Sequence, residues 1–143
     1  MSDEVGGGQR GHLTIVNPPE LGKPRGFAHG LLAPSGGRLL FIAGQTAAGA
    51  DGRATTQGFA EQFEIALARV LAVVRAAGGH AEDVTRMTMY VTNMDDYRAS
   101  RPILRDIWLR HMRGHYPAMA VLQVTRLVDE GAGVEIEADA VLP

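Results

Sequence analysis

The chain has 143 residues, no cysteine and a formal net charge of −2, and 45% of its residues are hydrophobic. This length suits one domain with its own core. The lack of cysteine excludes disulfides, thiolate metal sites and cysteine nucleophiles. The mixed, near-neutral charge argues against nucleic acid or an anionic membrane as a partner. With no run of roughly 20 apolar residues and no signal-peptide pattern at its start, the sequence predicts a cytoplasmic protein.

The first part of the chain is predicted to form a mobile tail followed by three strands. Residues 1–11 are polar and rich in glycine, and they offer little surface whose burial would offset the entropy of ordering them. A single domain is expected over 12–143, opening with a strand at 12–16. Two further strands, at 27–32 and 38–43, are joined by a segment containing proline, serine and two glycines, which favours a hairpin.

An amphipathic helix is predicted next, because apolar residues recur at spacings of three and four. The apolar stripe consists of Phe59, Phe63, Leu67, Val70, Leu71 and Val74. Thr55 or Thr56 can cap the start of the helix. Gly78 and Gly79 end it, since glycine readily takes the left-handed conformation of a C-cap.

The rest of the chain is predicted as strand, helix, strand and strand. Residues 84–93 alternate, with Met87, Met89 and Val91 on one side, which is typical of a strand with two different faces. Pro102 suits the first position of a helix, so the second helix is placed at 102–112. Its predicted inward residues are Ile103, Ile107, Trp108 and Met112. Two closing strands follow, at 118–124 and 133–141. Since two helices cannot cover both faces of six strands, the uncovered face is expected to bury itself against identical subunits.

Five short motifs occur in a fixed order across residues 13–142. They are Ala-Gly-Gln at 43–45, Ala-Ala-Gly-Gly at 76–79, the strand at 83–92, Tyr-Pro-Ala at 116–118 and Val-Glu-Ile-Glu-Ala at 134–138. Together they resemble the Rid family, also called YjgF. The resemblance implies an α+β, chorismate-mutase-like fold: a six-stranded mixed sheet with two helices on one face, assembled as a homotrimer. It also implies ligand sites in clefts between subunits, where many members hydrolyse reactive enamines and imines.

The resemblance also assigns site positions in this sequence. The family's substrate-gripping arginine corresponds to Met119, its tyrosine to Phe27, its serine to Ala43 and its asparagine to Arg101. The family's glutamate corresponds to Glu137, or to Glu135 if the register slips by one residue pair. The family's glycine is retained as Gly44, and backbone groups near Gly44 and Val121 are expected to hold the substrate.

These differences remove a charged fork and two hydroxyl groups from the expected cleft. Arginine pairs with a carboxylate through two parallel hydrogen bonds, whereas methionine offers only soft apolar surface. Three losses of polar groups predict a less charged and more apolar ligand. Arg101 is the candidate to replace the missing positive charge, and Glu137 is the candidate catalytic acid or base. The five histidines lack the spacing of a metal site, and imine hydrolysis needs no cofactor.

The leading hypothesis is therefore a homotrimeric Rid-like hydrolase or deaminase acting on a small enamine, imine or related metabolite. The altered residue at 119 argues against the usual 2-imino acid activity of the family. A non-catalytic trimer that binds a small ligand or acts like a chaperone is the alternative. Ribonuclease action is a third hypothesis, against which the net negative charge argues. The expected partners are a small-molecule substrate and identical subunits, without nucleic acid or membrane.

Overall fold

The computed structural model describes residues 9–10, 12–56 and 58–143, with backbone alone at 9 and 10. The predicted mobile tail, residues 1–11, lies outside the described residues apart from Gln9 and Arg10, which pair with Thr14 and Leu13. The strands are β1 (Gln9–Arg10), β2 (Leu13–Val16), β3 (Gly30–Leu32), β4 (Arg38–Gln45), β5 (Val84–Val91), β6 (Ala118–Gln123) and β7 (Val134–Leu142). The helices are α1 (Phe59–Ala76) and α2 (Met94–Met112). Within the described ranges, neither helix combines the length and hydropathy needed to cross a membrane.

The strands form two sheets, in place of the predicted single sheet of six strands. A mixed four-stranded sheet has the order β4-β7-β5-β6, and a smaller antiparallel sheet has the order β1-β2-β3. In the larger sheet only β5 and β6 run parallel. The predicted α+β fold with two helices and a mixed sheet is confirmed. The undivided sheet is wrong because β3 has only three residues and pairs with β2, while one isolated bridge, Ala28 to Ala118, joins this region to β6.

The predicted hairpin between residues 27–32 and 38–43 is also wrong. The chain does turn there, and Gly36 adopts the left-handed conformation with φ of 82°. However, β3 pairs with β2 and β4 pairs with β7, so the two strands enter different sheets. The turn residues correctly predicted that the chain reverses direction here. They could not predict which strands pair, because strand partners are set by distant parts of the chain.

Helix α1 follows the sequence pattern closely. Phe63, Leu67, Val70, Leu71 and Val74 are buried, as predicted, and Phe59 packs at the edge of the core. Burying an aliphatic or aromatic side chain of this size contributes about 1.5–3 kcal/mol. The end of the helix is also as predicted: φ of Gly78 is 86°, and the amide of Gly79 donates to the carbonyl of Val74 at 2.9 Å.

The predicted threonine cap of α1 is wrong, because Gly58 occupies the N-cap position and makes no side-chain cap. The hydroxyl of Thr56 donates instead to Glu61.

Helix α2 begins at Met94, eight residues earlier than predicted, and Pro102 lies in its interior. Proline is normally disfavoured inside a helix, because it lacks the amide hydrogen and its ring crowds the preceding turn. The first turn is fixed by Asn93, whose side chain accepts from the amides of Asp95 and Asp96 at 3.0 and 3.2 Å. This cap holds the segment in a helix despite the proline.

The buried face of α2 differs from the prediction at one position. Ile107, Trp108 and Met112 are buried as predicted. Ile103 is 57% exposed, which contradicts the sequence prediction, and the neighbouring Leu104 is buried in its place.

Both helices cover one face of the larger sheet and leave the other uncovered. Side chains that alternate along the strands, such as Ile42, Met87 and Ile136, join the core beneath the helices. We call the other side the open face, and it carries Leu39, Phe41, Ala43, Thr88, Tyr90, Ala120, Leu122, Glu135, Glu137 and Asp139. On this face Leu39 is 68% and Phe41 74% exposed, so part of it is a bare apolar surface.

Candidate functional site

A cavity of about 650 Å³ lies beside α2, and we call it the α2 cavity. Helix α2, the start of β6 and the segment before β3 all contribute residues to its lining. Two of the predicted site residues, Arg101 and Met119, line it together. Volumes of this order are typical of small-molecule sites.

The two strands beneath the cavity fix Met119, and α2 carries Arg101. Met119 pairs with Met87 in the parallel ladder of β5 and β6 and is partly buried against the core. The guanidinium carbon of Arg101 lies 5.6 Å from the centre of the Tyr97 ring, within the range of a cation–π contact. The sequence hypothesis that Arg101 supplies the charge missing at 119 is therefore sterically reasonable, since both side chains reach one cavity.

Aromatic rings form a fixed wall of the α2 cavity. Trp108 and Tyr116 are stacked with their centres 5.9 Å apart, and both line the cavity. The indole nitrogen of Trp108 donates to the carbonyl of His115 at 3.0 Å, which sets the angle of the ring. Tyr97 makes an edge contact with Phe59 of α1. These contacts hold the wall in one arrangement without any ligand.

Phe27 lies next to this cavity without lining it. It lines a second cavity of about 460 Å³, and Tyr116 lines both. The segment that carries Phe27 is anchored by the next residue, because the amide of Ala28 donates to the carbonyl of Pro117 at 3.0 Å. The ring of Phe27 packs edge-on against His29.

Gly44 and Glu135 are in close contact at the β4 edge of the larger sheet. A Cβ atom placed on Gly44 would lie 2.8 Å from the carboxyl carbon of Glu135, and nearer still to one carboxylate oxygen. Glycine is therefore what allows this carboxylate to lie over the strand. Burial raises the pKa of Glu135, and the nearby charges of Asp129 and Glu137 raise it further.

Glu137 and the remaining predicted residues occupy different surroundings. Glu137 is exposed on the open face, where it accepts a hydrogen bond from the hydroxyl of Tyr90 at 2.7 Å. This bond is the main reason that the pKa of Tyr90 is raised. Ala43 is exposed on β4, beside Gly44. Val121 pairs with Met89 and packs against the core, and it is absent from the described lining of both cavities.

Within one chain, five of the residues considered in the sequence analysis form two groups at opposite edges of the larger sheet. One group, Gly44 with Ala43 and Glu135, is at the β4 edge, and the other, Met119 with Arg101, is at the β6 edge. Two strands separate the edges, so β4 and β6 are roughly 14 Å apart at ordinary strand spacing. Sequence reasoning offered Glu135 only as a register alternative. It also missed Arg25 and Arg105 as cavity residues, which no local pattern marks, and Tyr116, whose Tyr-Pro-Ala motif was noted without a site role.

Comparison with known proteins gives matches over most of the chain. A family model described as "Endoribonuclease L-PSP" matches residues 28–142. The 2-iminobutanoate/2-iminopropanoate deaminase of Capra hircus is 30% identical over 105 residues, which is 73% of each chain. The deaminase of the same name from Homo sapiens is 28% identical over the same length.

Solved structures agree with this result. A member of the conserved Rid protein family from Yersinia pestis, YyfB, has a TM-score of 0.79 and 32% identity, covering 92% of this chain and 99% of that one. TdcF from Escherichia coli, solved with bound serine, has a TM-score of 0.65 and 26% identity, covering 85% and 92% of the two chains. With a family model spanning residues 28–142 and a relative 30% identical, the chain belongs to the Rid (YjgF) family.

Proposed function

We propose that this protein is a homotrimeric Rid-type hydrolase that cleaves the C–N bond of an enamine or imine in clefts between subunits. Relatives that match over 73% of the chain are named as imine deaminases, which supports this class of reaction. The observation that carries the proposal is the carboxyl group of Glu135, partly buried against Gly44 and with a raised pKa. A partly buried carboxyl group with a raised pKa is suited to accepting and returning a proton during a reaction.

The proposed reaction needs one group that both accepts and returns a proton. Glu135 takes a proton from water as the water oxygen bonds to the imine carbon, and the π electrons of the C=N bond move to nitrogen. The protonated Glu135 then gives that proton to nitrogen, which leaves a neutral carbinolamine. Glu135 next takes the hydroxyl proton and passes it to nitrogen, so that the C=O bond forms as the C–N bond breaks and ammonia or an amine leaves. An enamine enters the same sequence after protonation at carbon.

Glu135 is preferred to Glu137 on physical grounds. Glu137 is exposed and its carboxylate already accepts from Tyr90. Glu135 is partly buried and lies over Gly44, the glycine expected to approach the substrate through its backbone. A less solvated carboxyl group is the better general acid and base, because burial moves its pKa toward the working pH.

The proposed assembly explains why the candidate residues are divided. In a trimer, the β4 edge of one subunit would lie beside the β6 edge of the next, bringing Glu135 of one chain toward Met119 of another. The exposed Leu39 and Phe41 support burial of the open face against identical subunits. Met119 in place of an arginine supports a substrate other than the smallest 2-imino acids.

The test is an assay of imine hydrolysis in which an amino-acid oxidase generates imines from a panel of amino acids. We expect the protein to accelerate release of the keto acid for at least one member, and Glu135→Gln to lower this acceleration about a hundredfold or more. Equal release with and without protein across the whole panel would contradict the proposal. If ligands still bound, the result would favour the non-catalytic trimer.

A further inference from the structure

Three arginines surround the α2 cavity, and their charge is unbalanced there. Arg25, Arg101 and Arg105 line it, whereas no aspartate or glutamate is among the described residues of its lining. In the described parts of the chain, none of the three forms an ion pair. Three cations around one concave surface raise the local concentration of anions. Guanidinium groups in particular match the geometry of a carboxylate.

The body of the cavity is apolar and aromatic. Tyr97, Trp108 and Tyr116 form the wall described above, and Leu104 and Met119 add aliphatic surface. A ligand with a flat or bulky apolar group would cover these rings, whereas a ligand with a two- or three-carbon chain would leave most of their surface exposed to water. With about 650 Å³ available, the space exceeds what a small imino acid fills.

We infer that the α2 cavity binds an organic carboxylate with an aromatic or similarly bulky apolar body. The carboxylate is held from helix α2, chiefly by Arg101, and the apolar body lies on the aromatic wall above Met119. This inference rests on the proposed function, in which the same cavity forms part of the cleft. It names the substrate class as the imine of an aromatic or bulky apolar amino acid.

The chain contains its own reporter of binding, because Trp108 is its single tryptophan and lines the cavity. Three probes separate charge from bulk: phenylacetate, its neutral analogue phenylacetamide, and butyrate, which lacks the ring. Tryptophan fluorescence is followed during each titration, and calorimetry repeats the titrations to detect binding that leaves fluorescence unchanged. We expect phenylacetate to bind at least about tenfold more tightly than either other probe.

Two variants on one helix locate the carboxylate. Arg101→Gln should weaken phenylacetate binding about tenfold and leave phenylacetamide binding unchanged. Arg98→Gln is the matched control, since Arg98 is exposed on α2 and outside the cavity lining. Equal effects of the two variants, or equal affinity for phenylacetate and butyrate, would overturn the inference.

The outcomes also separate this inference from the proposed function. Binding of phenylacetate without hydrolysis of any imine would contradict the proposed hydrolase activity and support the carboxylate site. Hydrolysis of imines without tight phenylacetate binding would support the hydrolase activity and overturn the inferred carboxylate site.

Discussion

Gly44 and Glu135 form a matched pair at the β4 edge of the sheet, because the carboxyl group of Glu135 occupies the space where a side chain at 44 would begin. Gly44 has no positive φ among the described backbone angles, so conformational freedom does not explain the glycine. A glycine is required at 44 because the side chain of Glu135, on β7, approaches the backbone there so closely. The proposed reaction uses this same carboxyl group, so the pair links a packing constraint to chemistry.

Gly44→Ala tests this relationship directly. The added methyl group should push the flexible Glu135 side chain away, with a cost in unfolding free energy of about 1 kcal/mol, at the low end for overpacking. Imine hydrolysis should fall about tenfold or more, as measured by keto acid release. Gly30→Ala is the control, because a Cβ there meets only ordinary contacts of 3.5 and 3.6 Å at Val16. Unchanged activity in Gly44→Ala would show that Gly44 is not needed for imine hydrolysis.

Glu135→Gln and Glu137→Gln form a second comparison. The first should preserve the fold and lower turnover about a hundredfold or more, the usual scale for a general acid or base. The second removes an acceptor from Tyr90 on the open face and should lower turnover far less. Single-turnover rates of both proteins decide between them. A larger loss in Glu137→Gln would return the catalytic role to that residue.

The raised pKa of Glu135 predicts a pH dependence of stability. Its ordinary pKa is 4.5, and in the folded chain ionisation is disfavoured by burial, Asp129 and Glu137. The stability this group contributes is therefore complete below pH 4.5 and is lost as the pH rises through the higher folded-state pKa. Glu135→Gln cannot ionise, so its melting temperature relative to wild type should increase between about pH 4 and about pH 7. A difference that decreased over this interval would contradict the shift.

Met119 predicts weak activity on the smallest 2-imino acids. Losing a charge-assisted contact of about 1.5–3 kcal/mol should lower hydrolysis of 2-iminobutanoate and 2-iminopropanoate about ten- to a few hundredfold relative to an arginine-bearing family member. Met119→Arg should recover part of this activity, and Met119→Leu should recover none. Release of the keto acid by each protein is the measurement. Wild-type activity equal to that of the relative would contradict this prediction and would show that Arg101 holds the carboxylate of a short ligand as well as that of a bulky one.

Phe41 should be needed for assembly. It is 74% exposed on the open face, and a lysine there would be buried without a partner in the proposed trimer. Phe41→Lys should therefore shift the mass measured by light scattering from trimer to monomer and abolish hydrolysis. Ile103→Lys is the control, since Ile103 is 57% exposed on the opposite, helical side. A monomeric wild-type protein at micromolar concentration would contradict the inter-subunit cleft.

The parts of the fold that depend on local pattern could be predicted from the sequence. The stripe of α1 and the alternation of β5 are set by neighbouring residues, and both are confirmed. The division into two sheets could not be predicted, because the pairing of β3 with β2 depends on segments far apart in the chain. The start of α2 was misplaced because proline suits the first position of a helix, whereas this helix, capped by Asn93, begins eight residues earlier. Ile103 was misplaced because Leu104 lies three and four residues before Ile107 and Trp108, which puts Leu104 on the buried face.

The candidate site was predictable only in part. The resemblance led to Met119 and Arg101, and the fold brings both to one cavity. The choice between Glu135 and Glu137 stayed open, since it depends on which glutamate of β7 comes to lie against Gly44. The aromatic wall could not be predicted either, because Trp108 meets Tyr116, and Tyr97 meets Phe59, only once α2 is packed against the rest of the chain.

Pro102 removes one backbone hydrogen bond from the helix that borders the α2 cavity. With no amide hydrogen at 102, the carbonyl of Arg98 has no helical donor four residues on. The helix is packed on both sides of this gap, because Tyr97 lies against the core before the proline and Leu104 belongs to the core after it. Tertiary packing therefore keeps Tyr97 and Arg101 at the cavity where the helical hydrogen bonding is interrupted.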